Sequence, residues 1–155
     1  GRPKGVAITH RQMANQFRWA QLTHPHDRGD VVLHKTPITF DISTWELFWP
    51  LQTGASVVIA EPDGHRDPGY LARVVAEHRV TTVHFVPSML DAFLADVRPG
   101  RRTSLRRVFA AGEVLATETA AMFAERLPGV DLLNWYGPAE ATVVTEERAS
   151  ADADG

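Results

Sequence analysis

The chain has 155 residues, of which 44% are hydrophobic and 23% charged, the balance of a globular domain with a substantial core. Its net charge of -3 gives no electrostatic preference for nucleic acid. The lack of cysteine excludes disulfides and thiolate metal sites, and no apolar run approaches the roughly 20 residues of a membrane-spanning helix. We therefore expect a cytoplasmic protein without nucleic-acid or membrane partners.

Helical and extended segments alternate along the chain. Capping patterns predict five helices. The first opens with a Thr9–Gln12 capping box and runs to about Leu22, and the second, STWELFWPLQTG, has a Ser43–Glu46 capping box and stops at Gly54. The third, GYLARVVAEH, follows Asp67 and Pro68; the fourth, MLDAFLADV, is capped by Ser88 and Asp91; and the fifth runs from Thr117 to Pro128. The predicted strands cover residues 30–35, 56–60, 80–86, 105–112, 130–137 and 142–147. Among them, SVVIA (56–60) has the composition of a buried strand.

This alternation predicts an α/β fold: a doubly wound, mostly parallel sheet with helices on both faces. We expect one domain over residues 1–148 and a small, acidic, disordered tail over 149–155. Ligands of open parallel sheets bind beyond the carboxyl ends of the strands. The segments that follow predicted strand ends are 39–45, 85–88, 110–114 and 134–140.

Asp41 and Trp45 are spaced i,i+4 and would share one face of a helix. A carboxylate beside an indole can hold an ammonium group by charge-assisted hydrogen bonds and cation–π attraction. The alternative is that Asp41 only caps the helix and Trp45 belongs to the core. Spacing alone favours that alternative.

The sequence YGP at 136–138 predicts a turn directly after a strand, with Glu140 close to it. The carboxylate suits Mg²⁺, and the Tyr136 ring could stack on a flat ligand. An ordinary turn with a surface glutamate has the same composition. Gly112 at a strand end allows close approach of a planar ligand, and Lys4 could neutralise phosphate, although a turn glycine and an exposed lysine are the commoner roles.

The sequence lacks the patterns that are typical of zinc sites, nucleophile-elbow hydrolases and dinucleotide-binding domains. The seven histidines show no helical zinc-ligand spacing with a carboxylate. Neither G-x-S-x-G nor G-x-G-x-x-G occurs, which argues against a nucleophile-elbow hydrolase and a dinucleotide-binding domain.

The segments GRPKGV, LHKTPITFDISTWELFWPL, VHFVPSML, AAGE and NWYGPAEATV follow one another in the chain. Together they resemble the adenylation domain of nonribosomal peptide synthetases, a branch of the adenylate-forming superfamily that includes luciferase and acyl-CoA ligases. The resemblance extends from Gly1 to about Glu147. It implies the flavodoxin-like subdomain of the N-terminal core of an enzyme that converts an amino acid and ATP to aminoacyl-AMP and pyrophosphate. The acyl group would then pass to the phosphopantetheine thiol of a carrier protein.

The resemblance also implies residue roles. Asp41 would bind the substrate α-ammonium group, and the side-chain pocket would be lined by Ile42, Trp45, Phe85, Phe109, Ala111, Trp135, Val143 and Val144. The nucleotide would contact Gly112, Glu113, Asn134, Tyr136, Gly137 and Ala139, with adenine stacked on Tyr136. Glu140 would bind Mg²⁺ that bridges the phosphates, and Lys4 would lie near the phosphate path.

Two departures from the family pattern affect this expectation. Ala139 stands where the usual Y-G-P-T-E motif has threonine, which removes a hydroxyl from the α-phosphate. Most of the phosphate loop, the ribose-binding aspartate, the hinge and the C-terminal catalytic lysine are absent from the sequence, so we expect the chain by itself to be inactive. It would need the remainder of the adenylation domain; whether a small activator protein takes part is left open.

Two hypotheses of different classes remain. The first is a specificity subdomain for an amino acid with a small or medium uncharged side chain, because the implied pocket has no second charge. The second is a non-catalytic interaction or scaffold module of the same fold. A flavodoxin-like cofactor binder is a third, disfavoured by the order of the motifs. Ligand binding discriminates the first hypothesis from the second.

Overall fold

The structure, a computed structural model, describes residues 5–98 and 102–149. Lys4 and residues 150–155 of the predicted tail lie outside the described residues. The helices within these ranges are α1 (His10–Thr23), α2 (Ile42–Thr53), α3 (Pro68–Glu77), α4 (Pro87–Asp96) and α5 (Thr117–Arg126). The strands are β1 (Val31–His34), β2 (Ser56–Ile59), β3 (Thr82–Phe85), β4 (Arg107–Ala111), β5 (Asp131–Tyr136) and β6 (Thr145–Arg148). No helix in these ranges is long and apolar enough to cross a membrane.

The six strands form one sheet in the order β2-β1-β3-β4-β5-β6. Neighbours from β2 to β5 run parallel, and β6 pairs with β5 in the antiparallel sense. The predicted mostly parallel α/β sheet is confirmed. Strand order reverses between β1 and β3, which is the position where doubly wound sheets bind their ligands.

Helices cover both faces of the sheet, as predicted. On one face, α3, α4 and α5 bury residues such as Leu71, Leu90 and Phe123. On the other face, Phe17 of α1 and Trp45 of α2 belong to a second, mainly aromatic cluster. Successive residues of a strand serve opposite clusters because strand side chains alternate in direction.

Several predicted helix ends are confirmed. Thr9 and Gln12 form the capping box of α1, and the Asp67 side chain accepts a hydrogen bond from the Tyr70 N–H at the start of α3. Gly54 ends α2 with a φ of 78°, in the left-handed region that glycine adopts without strain.

The Ser43–Glu46 capping box is wrong. The N-cap of α2 is Asp41, two residues earlier, and its side chain accepts a hydrogen bond from the Ile42 N–H at 2.9 Å. The Ser43 hydroxyl donates to the Phe40 carbonyl at 2.6 Å. Glu46 instead turns back to the end of β1, where more donors are available.

Two further helix starts and one strand also differ from expectation. Val86 and Ala116 occupy the N-cap positions of α4 and α5, without side-chain caps from Ser88 or Thr117. Strand β2 was expected to be buried, but it is the edge strand, and Ile59 is 71% exposed. Sheet order places it there, and composition alone does not reveal sheet order.

Candidate functional site

A cavity of about 1250 Å³ lies beyond the carboxyl ends of β1, β3, β4 and β5. Its wall combines the N-terminal half of α1, the β1–α2 connection, the β3–α4 corner, the β4–α5 connection and the β5–β6 connection. The cavity therefore opens at the switch point of the sheet, and it is large enough for an extended small-molecule ligand.

Asp41 stands at the N-terminus of α2, half-buried in the cavity wall. Its Oδ1 accepts the Ile42 N–H, and none of the hydrogen bonds within the described ranges reaches Oδ2. Trp45, one turn later, lines the cavity too, although it is only 3% exposed. Asp41 therefore caps the helix and Trp45 is a core residue, as the alternative held, and both stand in the wall of one cavity. Binding of an ammonium group by this pair stays a prediction.

The indole rings of Trp45 and Trp135 form the floor of the cavity beside Asp41, and the Phe109 ring packs against both of them. The ring centroids of Trp45 and Trp135 lie 4.9 Å apart, and Phe109 lies 4.7 Å from Trp45 and 4.2 Å from Trp135. The Trp135 indole N–H donates to Glu146 at 2.5 Å, and His24 Nε2 lies 2.6 Å from the same carboxylate oxygen. A hydrogen bond to β6 thus holds Trp135 in place.

Most of the predicted site residues meet at this cavity. Those in its wall are Asp41, Ile42, Trp45, Ala111, Gly112, Glu113, Asn134, Trp135, Tyr136, Gly137, Glu140 and Val143. They come from three separate parts of the chain, around the β1–α2, β4–α5 and β5–β6 connections. The sheet brings them together because the carboxyl ends of its parallel strands share one edge.

Four predicted site residues are not part of the wall. Phe85 points to the opposite face of the sheet and packs 4.8 Å from Phe93, while Phe109 lies behind Trp45 and Trp135. Val144 is 59% exposed, and Ala139 is exposed outside the cavity. Phe85 lies away from the cavity because side chains of adjacent residues in β3 project to opposite faces of the sheet.

His84, the residue before Phe85, lines the cavity and was not singled out from the sequence. It pairs in register with Phe109 of β4, so both side chains project on the α1–α2 face. The alternation in VHFV shows that His84 and Phe85 face opposite ways, but it does not show which of the two faces the cavity.

The β4–α5 connection presents backbone to the cavity. Gly112 has a φ of 90°, a conformation that side-chain-bearing residues rarely adopt. The Glu113 carboxylate accepts hydrogen bonds from the Ser88 N–H at 2.9 Å and the Ser88 hydroxyl at 3.1 Å. Glu113 thereby fixes this connection to the start of α4, and it leaves the peptide edges of residues 112–113 next to the cavity.

The β5–β6 connection forms a further part of the cavity wall. Tyr136 ends β5 and is 70% exposed, so its ring is free to contact a ligand. A Cβ added to Gly137 would lie 1.7 Å from the Thr142 carbonyl oxygen, so only glycine fits at this close crossing. The crossing folds residues 138–142 into a tight loop that carries Glu140 to the cavity.

A buried glutamate supports the end of β1, and nothing in the sequence pattern signalled this role. The Glu46 side chain is fully buried and accepts hydrogen bonds from His34 Nδ1 at 2.8 Å, the Lys35 N–H at 3.2 Å, the Thr36 N–H at 3.0 Å and the Thr36 hydroxyl at 2.6 Å. Burial alone raises the pKa of Glu46, but the hydrogen bond from His34 and the positive charge of Lys35 outweigh it and hold the pKa below its usual value. Glu46 therefore stays ionised at neutral pH.

Lys35 is the cation of this cluster. Burial lowers the pKa of its ammonium group, and the Glu46 carboxylate opposes that shift. Its Nζ lies 5.0 Å from the centroid of the Phe85 ring, on whose face it finds a cation–π partner. Glu46 and Lys35 thus place a compensated charge pair beneath the edge of the cavity.

The site is also compatible with Mg²⁺ held mainly by a ligand. Among residues 5–98 and 102–149, no group of three or more histidine or acidic side chains could hold a metal by itself. Mg²⁺ is commonly bound through one or two carboxylates together with substrate phosphates. Glu140, exposed and in the cavity wall, fits that mode of binding.

Fold and site define an α/β domain with an aromatic ligand cavity at the switch point of its sheet. A family model described as AMP-binding enzyme matches residues 1–154, and the chain belongs to this family. Phosphinothricin tripeptide synthetase PhsB of Streptomyces viridochromogenes is 52% identical over 143 residues, covering 92% of this chain and 12% of PhsB. Vanchrobactin synthetase VabF of Vibrio anguillarum is 46% identical over 149 residues, covering 92% of this chain and 5% of VabF.

A solved structure shows the same fold. The nonribosomal peptide synthetase FmoA3, in a form with α-methyl-L-serine-AMP bound, superimposes with a TM-score of 0.90 at 26% identity, over 99% of this chain and 18% of FmoA3. These relatives confirm the resemblance to adenylation domains of nonribosomal peptide synthetases. The chain spans only a small part of the length of each of them.

Proposed function

We propose that this chain forms the amino-acid-selecting and nucleotide-contacting part of an adenylation domain. In the complete protein, the domain activates an amino acid with ATP and passes the acyl group to a carrier-protein thiol. The observation that carries the proposal is the position of Asp41, a half-buried carboxylate in the wall of an aromatic cavity that Tyr136 and Gly112 also line. FmoA3, with the same fold, holds an aminoacyl adenylate.

On the amino-acid side, the Asp41 carboxylate binds the α-ammonium group by a charge-assisted hydrogen bond. Its rigidity comes from its place at the helix start, where Oδ1 is already fixed by the Ile42 N–H. The substrate side chain then extends over the floor of Trp45 and Trp135. Ile42, Ala111 and Val143 contribute apolar side chains to the wall.

On the nucleotide side, adenine stacks on the exposed ring of Tyr136. Gly112 allows the base to approach the backbone of the β4–α5 connection, and Asn134 offers a polar side chain to the edge of the base. Gly137 takes part through the backbone, because its tight crossing sets the position of the loop that follows.

The reaction proposed for the complete protein joins a substrate carboxylate oxygen to the α-phosphorus of ATP. The bond from this phosphorus to the bridging oxygen breaks, and pyrophosphate leaves. Mg²⁺, when bound, neutralises phosphate charge, and Glu140 would hold it. This chain's own contribution is positioning: Asp41 holds the amino acid and Tyr136 holds the adenine, which lowers the entropic cost of bringing the reacting atoms together. We further propose that Lys4 acts near the phosphates. We assign no direct contact with the amino acid or the nucleotide to Phe85, Phe109, Val144 and Ala139.

The test is a titration of the chain with a non-hydrolysable aminoacyl-adenylate analogue, followed by NMR. We expect shifts clustered at Asp41, Trp45, Gly112 and Tyr136. The matched analogue without the α-amino group should bind roughly 10- to 100-fold more weakly, because it loses a hydrogen bond to a charged group. Asp41→Asn should remove that difference, and Asp91→Asn, an exposed carboxylate on α4, should preserve it.

Two outcomes contradict the proposal. If the folded chain shows no shifts with any analogue, the interaction or scaffold module becomes the better account of this chain. If both analogues bind equally well to the unmodified chain, Asp41 does not select an amino acid.

A further inference from the structure

Glu146 on β6 connects three parts of the chain behind the cavity floor. It pairs in register with Trp135 of β5, so the two side chains project on the same face of the sheet. The Trp135 indole N–H donates to Glu146 Oε2 at 2.5 Å, and Nε2 of His24, the C-cap of α1, lies 2.6 Å from the same oxygen. Glu146 and His24 are not in the cavity wall, whereas Trp135 is. A pair of residues outside the cavity therefore contacts one residue of its floor directly.

The Trp135 ring depends on this contact for its orientation. Its aromatic neighbours are Trp45, Phe109 and Trp19, with ring centroids 4.9, 4.2 and 5.8 Å away. Such contacts favour no single angle strongly, because the terminal torsion of an aromatic side chain has a broad energy minimum. An indole N–H can only donate, and Trp135 is 1% exposed, so water is not an alternative acceptor. The hydrogen bond to Glu146 therefore selects one orientation of the ring.

His24 keeps the acceptor itself in place. Glutamate side chains mostly turn to water, and β6 is an edge strand. The side chains of Glu146 and His24 are nevertheless only 16% and 10% exposed. The His24 ring also packs edge-on against Phe109, at 5.6 Å between centroids, and the His24 carbonyl accepts a hydrogen bond from Arg107 at 3.0 Å. His24 is thus fixed by two further contacts, and it holds the carboxylate next to Trp135.

The other indole of the floor lacks such an anchor. Among the residues that the structure describes, none pairs with the buried indole N–H of Trp45. Its ring is held by packing against Trp49, Phe109 and Trp135. The hydrogen-bonded anchoring of the floor therefore depends on Glu146.

We propose that Glu146 is a positioning residue for substrate selection: it fixes the Trp135 ring and so sets the room that the floor leaves for the substrate side chain. This rests on the proposed function, in which that side chain extends over Trp45 and Trp135. Glu146 acts through Trp135 and does not contact the substrate, and His24 acts through Glu146. Loss of the carboxylate should weaken discrimination between side chains of different size, and it should leave binding of the α-ammonium group and of adenine unchanged.

The test measures, by calorimetric titration, how tightly the chain binds non-hydrolysable adenylate analogues of glycine, L-alanine, L-2-aminobutyrate and L-phenylalanine. The glycyl analogue has no side chain to meet the floor, so it reports on the rest of the site. Selectivity is the ratio of the strongest to the weakest affinity among the other three. In Glu146→Leu we expect this ratio to fall roughly five-fold or more, with the glycyl affinity within about two-fold, because an indole without its acceptor reorients.

Three further variants separate positioning from a general effect of substitution. Glu146→Gln retains an oxygen that can accept the indole N–H, so it should retain most of the selectivity. Glu147→Leu, at the next, exposed position of β6, is the control and should leave the ratio unchanged. His24→Leu keeps the acceptor of Trp135 but frees the carboxylate, so the ratio should fall by a smaller factor. If Glu146→Leu does not fold, His24→Leu decides the question, because an unchanged ratio there overturns the inference.

A second measurement follows the Trp135 ring without any ligand. The indole N–H signal of Trp135 in the NMR spectrum can be assigned by its loss in Trp135→Phe. We expect this signal to shift in Glu146→Leu and to keep its position in Glu147→Leu. An unshifted signal in Glu146→Leu shows that the carboxylate does not hold the ring, and it overturns the inference.

Failure of this inference and failure of the proposed function give different results. If analogues bind in an Asp41-dependent manner and Glu146→Leu leaves the ratio unchanged, or lowers the glycyl affinity as much as the others, only the role of Glu146 is wrong. Equal affinities of all analogues for the unmodified chain overturn that role too, because there is then no selectivity to set. If no analogue binds the folded chain, the proposed function fails, and this inference with it.

Discussion

The Glu46 carboxylate accepts hydrogen bonds from both the backbone N–H and the hydroxyl of Thr36, at 3.0 and 2.6 Å. These two bonds join the middle of α2 to the end of β1, inside a region that water does not reach. Because Asp41 is the N-cap of α2, the same bonds help to fix the position of the carboxylate that we assign to the substrate ammonium group. Glu46 therefore stabilises the segment that carries Asp41 without itself lining the cavity.

Replacing Glu46 with alanine should strongly destabilise the protein. The change leaves the Lys35 and Thr36 N–H groups and the His34 ring buried without their acceptor, and the loss of one partner of a buried ionic network costs roughly 3–5 kcal/mol. Urea unfolding measures the difference. Glu77→Ala, at the exposed end of α3, is the matched control and should change the free energy of unfolding by less than about 0.5 kcal/mol. Equal stability of the two variants would refute the support role.

Gly137→Ala should disrupt the β5–β6 connection. The new Cβ would overlap the Thr142 carbonyl oxygen at 1.7 Å, so the loop that carries Glu140 has to move. We expect a destabilisation of roughly 1–3 kcal/mol, together with lower affinity for the adenylate analogue. Gly5→Ala meets no atom within 4 Å and serves as the control for the loss of a glycine. Unchanged unfolding and binding in Gly137→Ala would show that the crossing is looser than described.

Tyr136→Ala should weaken nucleotide binding without affecting stability. The ring is 70% exposed, so its removal takes little from the core. Stacking of a base on an aromatic side chain contributes about 1–3 kcal/mol, which corresponds to roughly 5- to 150-fold in affinity. Calorimetric titration with the adenylate analogue measures the loss, and Leu22→Ala, an exposed apolar residue on α1, is the control. An unaffected affinity would exclude stacking on this ring.

Acid should destabilise the fold through buried histidines. Burial, followed by the charge of Arg107, lowers the pKa of His26 to about 4 from 6.5, so the unfolded chain binds more protons between these two values. Stability is then complete above about pH 6.5 and falls as the pH drops towards 4, by roughly 3 kcal/mol for this residue. His84 acts in the same direction, down to about pH 3.

Urea unfolding at several pH values between 7 and 4 tests this dependence. His26→Gln should flatten the curve, because the titrating group is gone. His78→Gln, which changes an exposed histidine, should retain the original slope. If the slope of His26→Gln equals that of the unmodified chain, burial of His26 is not a source of the acid sensitivity.

The sequence was informative wherever a signal lies within a few residues. The capping box of Thr9 and Gln12, the stop at Gly54 and the alternation of helices with strands depend on local geometry, and all were confirmed. The ordered motifs likewise indicated the family, which the family model and the relatives confirm. Asp41 and Tyr136 were found in this way, and both stand in the wall of the cavity.

Tertiary structure decided what depends on segments that are distant in the chain. Ser43 and Glu46 have the spacing of a capping box, yet the Glu46 carboxylate accepts four hydrogen bonds from residues at the end of β1. Only the packing of α2 on the sheet brings these donors close to Glu46. The alternation of β3 placed His84 and Phe85 on opposite faces, and the helices packed on each face decided that His84 meets the cavity. Local sequence sets the spacing at which side chains of a helix or strand return to the same face. Which face meets the cavity, and which elements pack beside it, follow from the burial of apolar surface across the whole chain.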